Sequence, residues 1–213
     1  PWINKVPALI QSWYLGSEAG HAIAGVIAGN ITPTGKLPFS IPEKLTDNGA
    51  HYYGQSSYPG DTLNVIYQED ILVGYRWHDT KRIPALFPFG YGLSYTTFEY
   101  GKMKADKKQY SSGDTVRVCF TLTNMGKSEG AEVVQLYVGQ NKPSVLRPVK
   151  ELKRFTRVTL KPGEKKTVSF ELPISELAFW NIDMVKTVEP GDFALWVAPD
   201  SQSGEKNLFK VVD

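Results

Sequence analysis

A single cysteine, Cys119, is the scarcest resource of this 213-residue chain. That excludes an intrachain disulfide and any cysteine-built metal site, and the thiol is expected to be a small core or sheet residue inside a strand-like run. Charge of one sign is missing too: 24 Lys and Arg against 22 Asp and Glu leave a net charge of +2. No Lys/Arg block with interleaved aromatics offsets that balance, so nucleic acid is not an expected partner. No apolar run approaches the roughly 18 residues that a spanning helix needs, so no membrane contact is expected and the chain is read as soluble. His21, His51 and His78 lack metal-ligand spacing to one another or to the cysteine, so neither a metal nor a cofactor is expected and each histidine should be exposed or satisfied. The opening Pro1-Trp2-Ile3-Asn4-Lys5 has no initiator Met and none of the parts of a signal peptide, which predicts a fragment of a longer protein.

What is present is ordinary globular material, 41% apolar and 22% charged, with room for one large domain or two small ones. Residues 6–11 form an apolar run that suits a buried strand. Ser17 is a candidate N-cap with Glu18 at the positive end of a helix, and Ala22, Ile23, Val26 and Ile27 fall on one helical face. A helix over 18–28 follows, stopped by Gly29-Asn30, and its Gly20, Ala24, Gly25 and Ala28 suit close packing onto a sheet. The Asn30-Ile31-Thr32 sequon precedes Pro33 and is read as a structural turn. A turn at 32–36 leads to a short strand at 37–41. Residues 46–64 show no periodicity, yet they hold His51, Tyr52, Tyr53 and Tyr58. Long segments of that kind are often functional or wrapped around a neighbour. Residues 71–77 regain strand character.

Beyond residue 98 the period changes to two. Val116, Val118, Phe120 and Leu122 alternate with Arg117, Cys119, Thr121 and Thr123, and similar runs cover 134–138, 168–172 and 193–197. Adding 103–107, 151–158 and 208–212 predicts about seven strands, separated by turns such as Lys161-Pro162-Gly163-Glu164. The expected fold class is an α/β remnant followed by an all-β sandwich of immunoglobulin or fibronectin type III kind. Trp196, on the opposite parity from Phe193 and Leu195, is expected to face outward or toward the first region.

Between the two halves lies an irregular aromatic seam, Val73-Gly74-Tyr75-Arg76 and then Leu86-Phe87-Pro88-Phe89-Gly90-Tyr91-Gly92-Leu93-Ser94-Tyr95-Thr96-Thr97-Phe98. Its rings would bury on the order of 150–250 Å² each if they pack between domains. The competing reading is a sugar platform, with Tyr52, Tyr53, Tyr58, Tyr67, Trp77 or Trp196 offering ring faces. Packing is the expectation. Glu69 and Asp70 are adjacent on an extended segment and point to opposite sides, so they are expected to pair with Arg76 or to clamp a neighbouring loop. Ser17 and Ser94 have no His and Asp in a nucleophile arrangement.

Taken in order, Trp13-Tyr14-Leu15-Gly16-Ser17-Glu18-Ala19-Gly20, Gly35-Lys36-Leu37-Pro38, Tyr67-Gln68-Glu69-Asp70-Ile71-Leu72-Val73-Gly74-Tyr75-Arg76, the seam, and Arg147-Pro148-Val149-Lys150-Glu151-Leu152-Lys153-Arg154-Phe155 resemble the C-terminal part of family 3 glycoside hydrolases, the group with many β-glucosidases and β-xylosidases. The match departs at Leu15-Gly16-Ser17-Glu18-Ala19-Gly20, where the family usually has Pro-Gly-x-Glu-Gly-Gly. The resemblance implies that residues 1–98 end the α/β sandwich domain and that 99–213 form a fibronectin type III-like domain. It also implies a retaining hydrolysis of terminal non-reducing β-linked sugars by two carboxylates about 5 Å apart. Both carboxylates would lie upstream, on an N-terminal barrel and the earlier α/β region, so no residue here is expected to be catalytic. His51, Tyr52 and Tyr53 are the candidates for an active-site rim. The implied partners are a β-linked oligosaccharide or glucoside through the full-length enzyme, the missing barrel and α/β region, and a further copy in an oligomer. Family members are often exported, which implies a periplasmic or extracellular site. The alternative is a non-catalytic sandwich that binds carbohydrate or protein.

Overall fold

A computed structural model describes residues 2–213, in two compact units that meet in sequence between Pro33 and Thr34. The first holds short 3₁₀ turns at Ile3–Lys5 and Gly16–Glu18 and one helix, α1, at Ala19–Ile27. The expected helix is therefore present, but it is entered differently. Glu18 rather than Ser17 is the cap residue and no side chain caps the helix, because Gly16–Glu18 already turn in 3₁₀ geometry. Residues 6–11 are not the buried strand the apolar run predicts. They are irregular and exposed, with no ladder partner. No residue of α1 is buried, and Ile23, Ile27 and Ile31 are among the exposed apolar side chains.

The second unit begins with β1 (Ile41–Pro42), a short helix α2 (Gly49–Tyr52), a further helix α3 (Tyr75–Lys81) and β2 (Ala85–Phe87). Strand β1 pairs with β2 antiparallel, which reduces the expected strand at 37–41 to its last residue and Pro42. The expected strand at 71–77 is overturned. Gly74, with φ of 62°, turns the chain into α3, whose residues Trp77 and His78 are buried and whose C-cap Arg82 is left-handed. Tyr75, Trp77 and Thr80 have little intrinsic preference for helix, and tertiary burial overrides them.

The sandwich supplies the rest: β3 (Phe98–Tyr100), β4 (Lys104–Ala105), β5 (Gln109–Tyr110), β6 (Thr115–Asn124), β7 (Gly130–Gln140), β8 (Glu151–Leu160), β9 (Lys165–Pro173), β10 (Phe179–Trp180), β11 (Lys186–Thr187), β12 (Gly191–Ala198) and β13 (Lys206–Val211). Each of the seven expected runs contains a strand, although 103–107 shrinks to Lys104–Ala105, and four short strands, β3, β5, β10 and β11, lie outside those runs. One sheet has the order β5-β13-β12-β7-β8; in the other, β6 pairs with β9 along one edge and with β3 and β4 along its opposite edge. The alternation in β6 is carried through, with Val116, Val118, Phe120 and Leu122 buried in the core and Arg117, Cys119 and Thr121 turned out. Cys119 is thus a sheet residue on the exposed face, not a core one. The core joins those side chains to Val134, Leu136 and Val138 of β7 and to Leu172, Leu195 and Phe209.

Strand β7 breaks the alternation, since it is buried on both faces over nearly its whole length. Its second face, Gln135 and Tyr137, is covered by the seam. Gln135 donates through Nε2 to the carbonyls of Gly90 and Pro199, and the Tyr137 ring meets Tyr75 edge-on at 5.9 Å.

Candidate functional site

Two places in the second unit concentrate polar and aromatic chemistry. The first is the segment from α2 to Tyr67. Asn48 caps α2 by accepting from the backbone of Ala50, and Asp61 accepts from Leu63 and Asn64, two backbone bonds that hold its carboxyl below the ordinary value. Turns of this kind order a stretch that has no periodicity. At its centre lies Trp77, 1% exposed, with Nε1 donating to the carbonyl of Asp47. Tyr52 and Tyr53 pack edge-on against that indole, at 5.2 and 5.8 Å between centroids, and His51 meets Tyr58 at 4.7 Å. The three rim candidates are therefore adjacent, with Tyr52 and Tyr53 exposed around a buried tryptophan.

Glu69 is buried beneath this segment and accepts a long hydrogen bond, 3.5 Å, from Ser57. Of the two expectations for Glu69, the loop clamp is the one realised. Arg76 instead faces Glu151 of β8 at 3.6 Å. His78 donates through Nδ1 to the carbonyl of Ile83, and His21 pairs through Nδ1 with Glu18 on the surface. Among the described residues no cluster of His, Cys, Asp and Glu is arranged to hold a metal ion.

The second place is the joint where α3 and the seam meet the sandwich. Backbone N–H groups of Val149 and Leu152 donate to Thr80 Oγ1 and Tyr75 Oη, Tyr75 stacks on Phe89 at 4.7 Å, and the Ser201 N–H donates to the carbonyl of Phe89. The joint is crowded at two of its glycines. A Cβ on Gly90, whose φ is +81°, would lie 2.2 Å from the Gln135 amide oxygen, and one on Gly92 would lie 2.2 Å from the carbonyl of Gly35. The close spacing of glycine and aromatic residues in Phe89-Gly90-Tyr91-Gly92 thus has a steric cause. Of the rings expected to pack, Phe89 stacks on Tyr75 and Phe87 meets Tyr91 at 5.5 Å, whereas Tyr95 is half-exposed. A buried ion pair, Lys36 with Glu132 at 2.8 Å, adds a charged tie, and Tyr100 donates to the same carboxylate at 3.0 Å.

Inside the joint sits a second buried pair. Asp79 of α3 and Lys150, just before β8, approach to 3.8 Å with side chains 4% and 9% exposed. Burial pushes the Asp79 carboxyl up to about 6, against the opposing charge of Lys150, and burial pushes the Lys150 ammonium down against Asp79 and Asp200. The ammonium also lies over the rings of Tyr137 and Trp196, at 5.4 and 5.3 Å. Trp196 therefore faces α3, one of its two expected orientations. Nothing in the sequence pattern marks Asp79 and Lys150 as neighbours, because 71 positions of chain and a misread strand separate them.

Comparison with known proteins accounts for both halves. Residues 1–95 match the model of the glycosyl hydrolase family 3 C-terminal domain, and 132–201 match that of a fibronectin type III-like domain. Among curated relatives, beta-glucosidase BoGH3A of Bacteroides ovatus is 50% identical over 203 residues, which are 94% of this chain and 27% of that protein. Thermostable beta-glucosidase B of Acetivibrio thermocellus is 43% identical, over 95% of this chain and 26% of its own length. Among solved structures, the beta-glucosidase DesR of Streptomyces venezuelae, in complex with D-glucose, superposes with a TM-score of 0.88 at 34% identity and covers all of this chain and 27% of its own. The Kluyveromyces marxianus beta-glucosidase, in complex with glucose, gives 0.87 at 40% identity over all of this chain and 25% of its own. The chain spans about a quarter of the length of these relatives. With two family models in order along its length and relatives matching it nearly throughout, this chain belongs to glycoside hydrolase family 3 and corresponds to the C-terminal region of its members.

Proposed function

We propose that this chain is the C-terminal part of a β-glucosidase that hydrolyses terminal non-reducing β-linked glucosyl residues with retention, and that it supplies structure rather than the catalytic carboxylates. The observation that carries the reading is the 50% identity, over 94% of this chain, to a protein described as a beta-glucosidase. The state of the acidic groups agrees with it. Glu69 is buried under a loop, Glu132 is held by Lys36, Glu176 is held by Arg154, and Asp79 faces Lys150, so each is committed to a structural partner. Retaining chemistry needs one carboxylate free to attack and another free to pass a proton.

In this reading the exposed apolar side chains of the first unit, among them Leu9, Ile10, Ile23 and Ile27, are the surface that the rest of the α/β region covers. His51, Tyr52 and Tyr53 form the proposed rim of the sugar site. An exported location, periplasmic or extracellular, belongs to the same proposal.

The test is a graft. These 213 residues replace the matching region of the Bacteroides ovatus relative, and an aryl β-glucoside is the substrate. The 213-residue chain by itself is expected to show no turnover, while the graft hydrolyses the glucoside and releases β-glucose first. Turnover by the chain alone, or release of the α anomer, would refute the assignment. A non-catalytic sandwich is the reading left if the graft folds and is inactive.

A further inference from the structure

Helix α3 is only seven residues long, yet its two sides meet different parts of the molecule. Tyr75, Arg76, Asp79 and Thr80 recur at the i, i+1, i+4, i+5 spacing of one helical face, and all four meet the sandwich. Tyr75 Oη and Thr80 Oγ1 accept from the backbone N–H groups of Leu152 and Val149 at 2.9 and 3.0 Å, Arg76 faces Glu151, and Asp79 faces Lys150. All of these partners fall within 149–152, at the start of β8. Trp77 and Lys81 lie on the other side of the helix, where the Lys81 ammonium sits over the indole at 5.3 Å.

That indole is what α2 rests on. A Cβ on the buried Gly49 would lie 3.1 Å from the Trp77 ring and 3.1 Å from the Glu69 side chain, so the backbone of α2 is in contact with both. Just before α2 the Asp47 carbonyl accepts from Trp77 Nε1 at 3.0 Å, and at its end Tyr52 and Tyr53 pack on the same indole. A helix of four residues is too short to hold its own shape and place, so Trp77 and its neighbours fix it. One helix diameter, about 10 Å, thus separates the start of β8 from the support of the rim. Close-packed side chains transmit a displacement on one side of such a helix to the other. We propose that the sandwich sets the position of the rim through α3, with Tyr75 and Trp77 as positioning residues for the hydrolysis. The proposal rests on the reading of His51, Tyr52 and Tyr53 as the rim, and it gives the fibronectin type III-like domain a part in substrate binding.

The test is made in the graft, with the aryl β-glucoside as substrate. Tyr75→Phe keeps the ring that stacks on Phe89 and removes only the oxygen that receives the Leu152 N–H. It should raise KM about threefold with kcat nearly unchanged. Trp77→Phe, which loses the bond to the Asp47 carbonyl, should raise KM at least as much. Gly163→Ala, in the turn that follows the other end of β8, weakens the sandwich without touching α3 and should leave KM at the parent value. Tyr75→Phe is then repeated in a background that carries Tyr52→Ala and Tyr53→Ala. If Tyr75 works through the rim, its factor shrinks toward one there, because residues that act through one another do not add. A KM unmoved by the two alanines would overturn the rim reading and this proposal with it. A KM raised by the alanines but not by Tyr75→Phe, an equal factor from Tyr75→Phe in both backgrounds, or an equal rise from Gly163→Ala would overturn the positioning role and leave the rim standing.

Discussion

Removing the charge of Lys150 while keeping its length, as in Lys150→Met, isolates what the buried pair does. Asp79 titrates near 6 in the fold against an ordinary 3.8, chiefly because it is buried. The folded chain therefore binds that proton more tightly than the unfolded chain does. Its contribution to stability is complete below 3.8 and is lost as pH rises through 6. At neutral pH the loss amounts to about 3 kcal/mol. Lys150 is what keeps the loss from growing, because its charge opposes the effect of burial. Without it the carboxyl climbs further, and the damage becomes pH-dependent: small near pH 5, where Asp79 is protonated anyway, and about 3 kcal/mol near pH 8, where it is forced to ionise alone. The double variant Asp79→Leu with Lys150→Met buries no charge and should fall within about 1 kcal/mol of the parent or exceed it. Urea midpoints followed by tryptophan fluorescence at both pH values give the comparison. An equal loss at both pH values for the single variant would refute the reasoning, as would a double variant no more stable than the single.

Other consequences are more local. Gly90→Ala should destabilise by about 2–4 kcal/mol, because its Cβ meets Gln135 and its backbone is left-handed, whereas Gly163→Ala, equally left-handed but with open space around it, should cost about 1 kcal/mol; chemical unfolding of the two separates crowding from backbone strain. Trp77→Ala should cost about 3–5 kcal/mol and release Tyr52 and Tyr53, read as faster amide exchange over residues 48–58. Arg154→Ala should cost no more than about 1 kcal/mol, because its paired Glu176 is on the surface, and salt should mask much of it. In the enzyme graft, Tyr53→Ala should raise KM several-fold with kcat nearly unchanged if the rim contacts the substrate, and a fall in kcat alone would count against that role.

How much of this was legible in the sequence depends on whether a residue's environment is set by its own element. Strand β6 reads correctly because its two faces see different surroundings, core on one side and solvent on the other, so the pattern alternates. Residues 71–77 fail for the opposite reason. Val73, Tyr75 and Trp77 look like a strand, and only the site prepared for Trp77, with the Asp47 carbonyl and the two tyrosines around it, makes a helix the better arrangement. The apolar run at 6–11 misleads in a third way: its pattern asks for burial that the first unit does not provide. Helix α2 carries a readable signal, an Asn before a short helical stretch, but at four residues it is too short to show a period.

The same distinction explains why family membership was easier to read than chemistry. Gly90 and Gly92 sit where another part of the chain comes within contact of their Cα atoms, so the joint dictates small residues at fixed spacing and leaves a local signature. Asp79 and Lys150 leave none. Each is an ordinary charged residue by itself, and their meaning arises only when α3 is laid against the start of β8 and water is excluded from both side chains at once. A motif therefore records where backbones crowd, while buried charge, which governs how this joint answers to pH, has to be found by geometry.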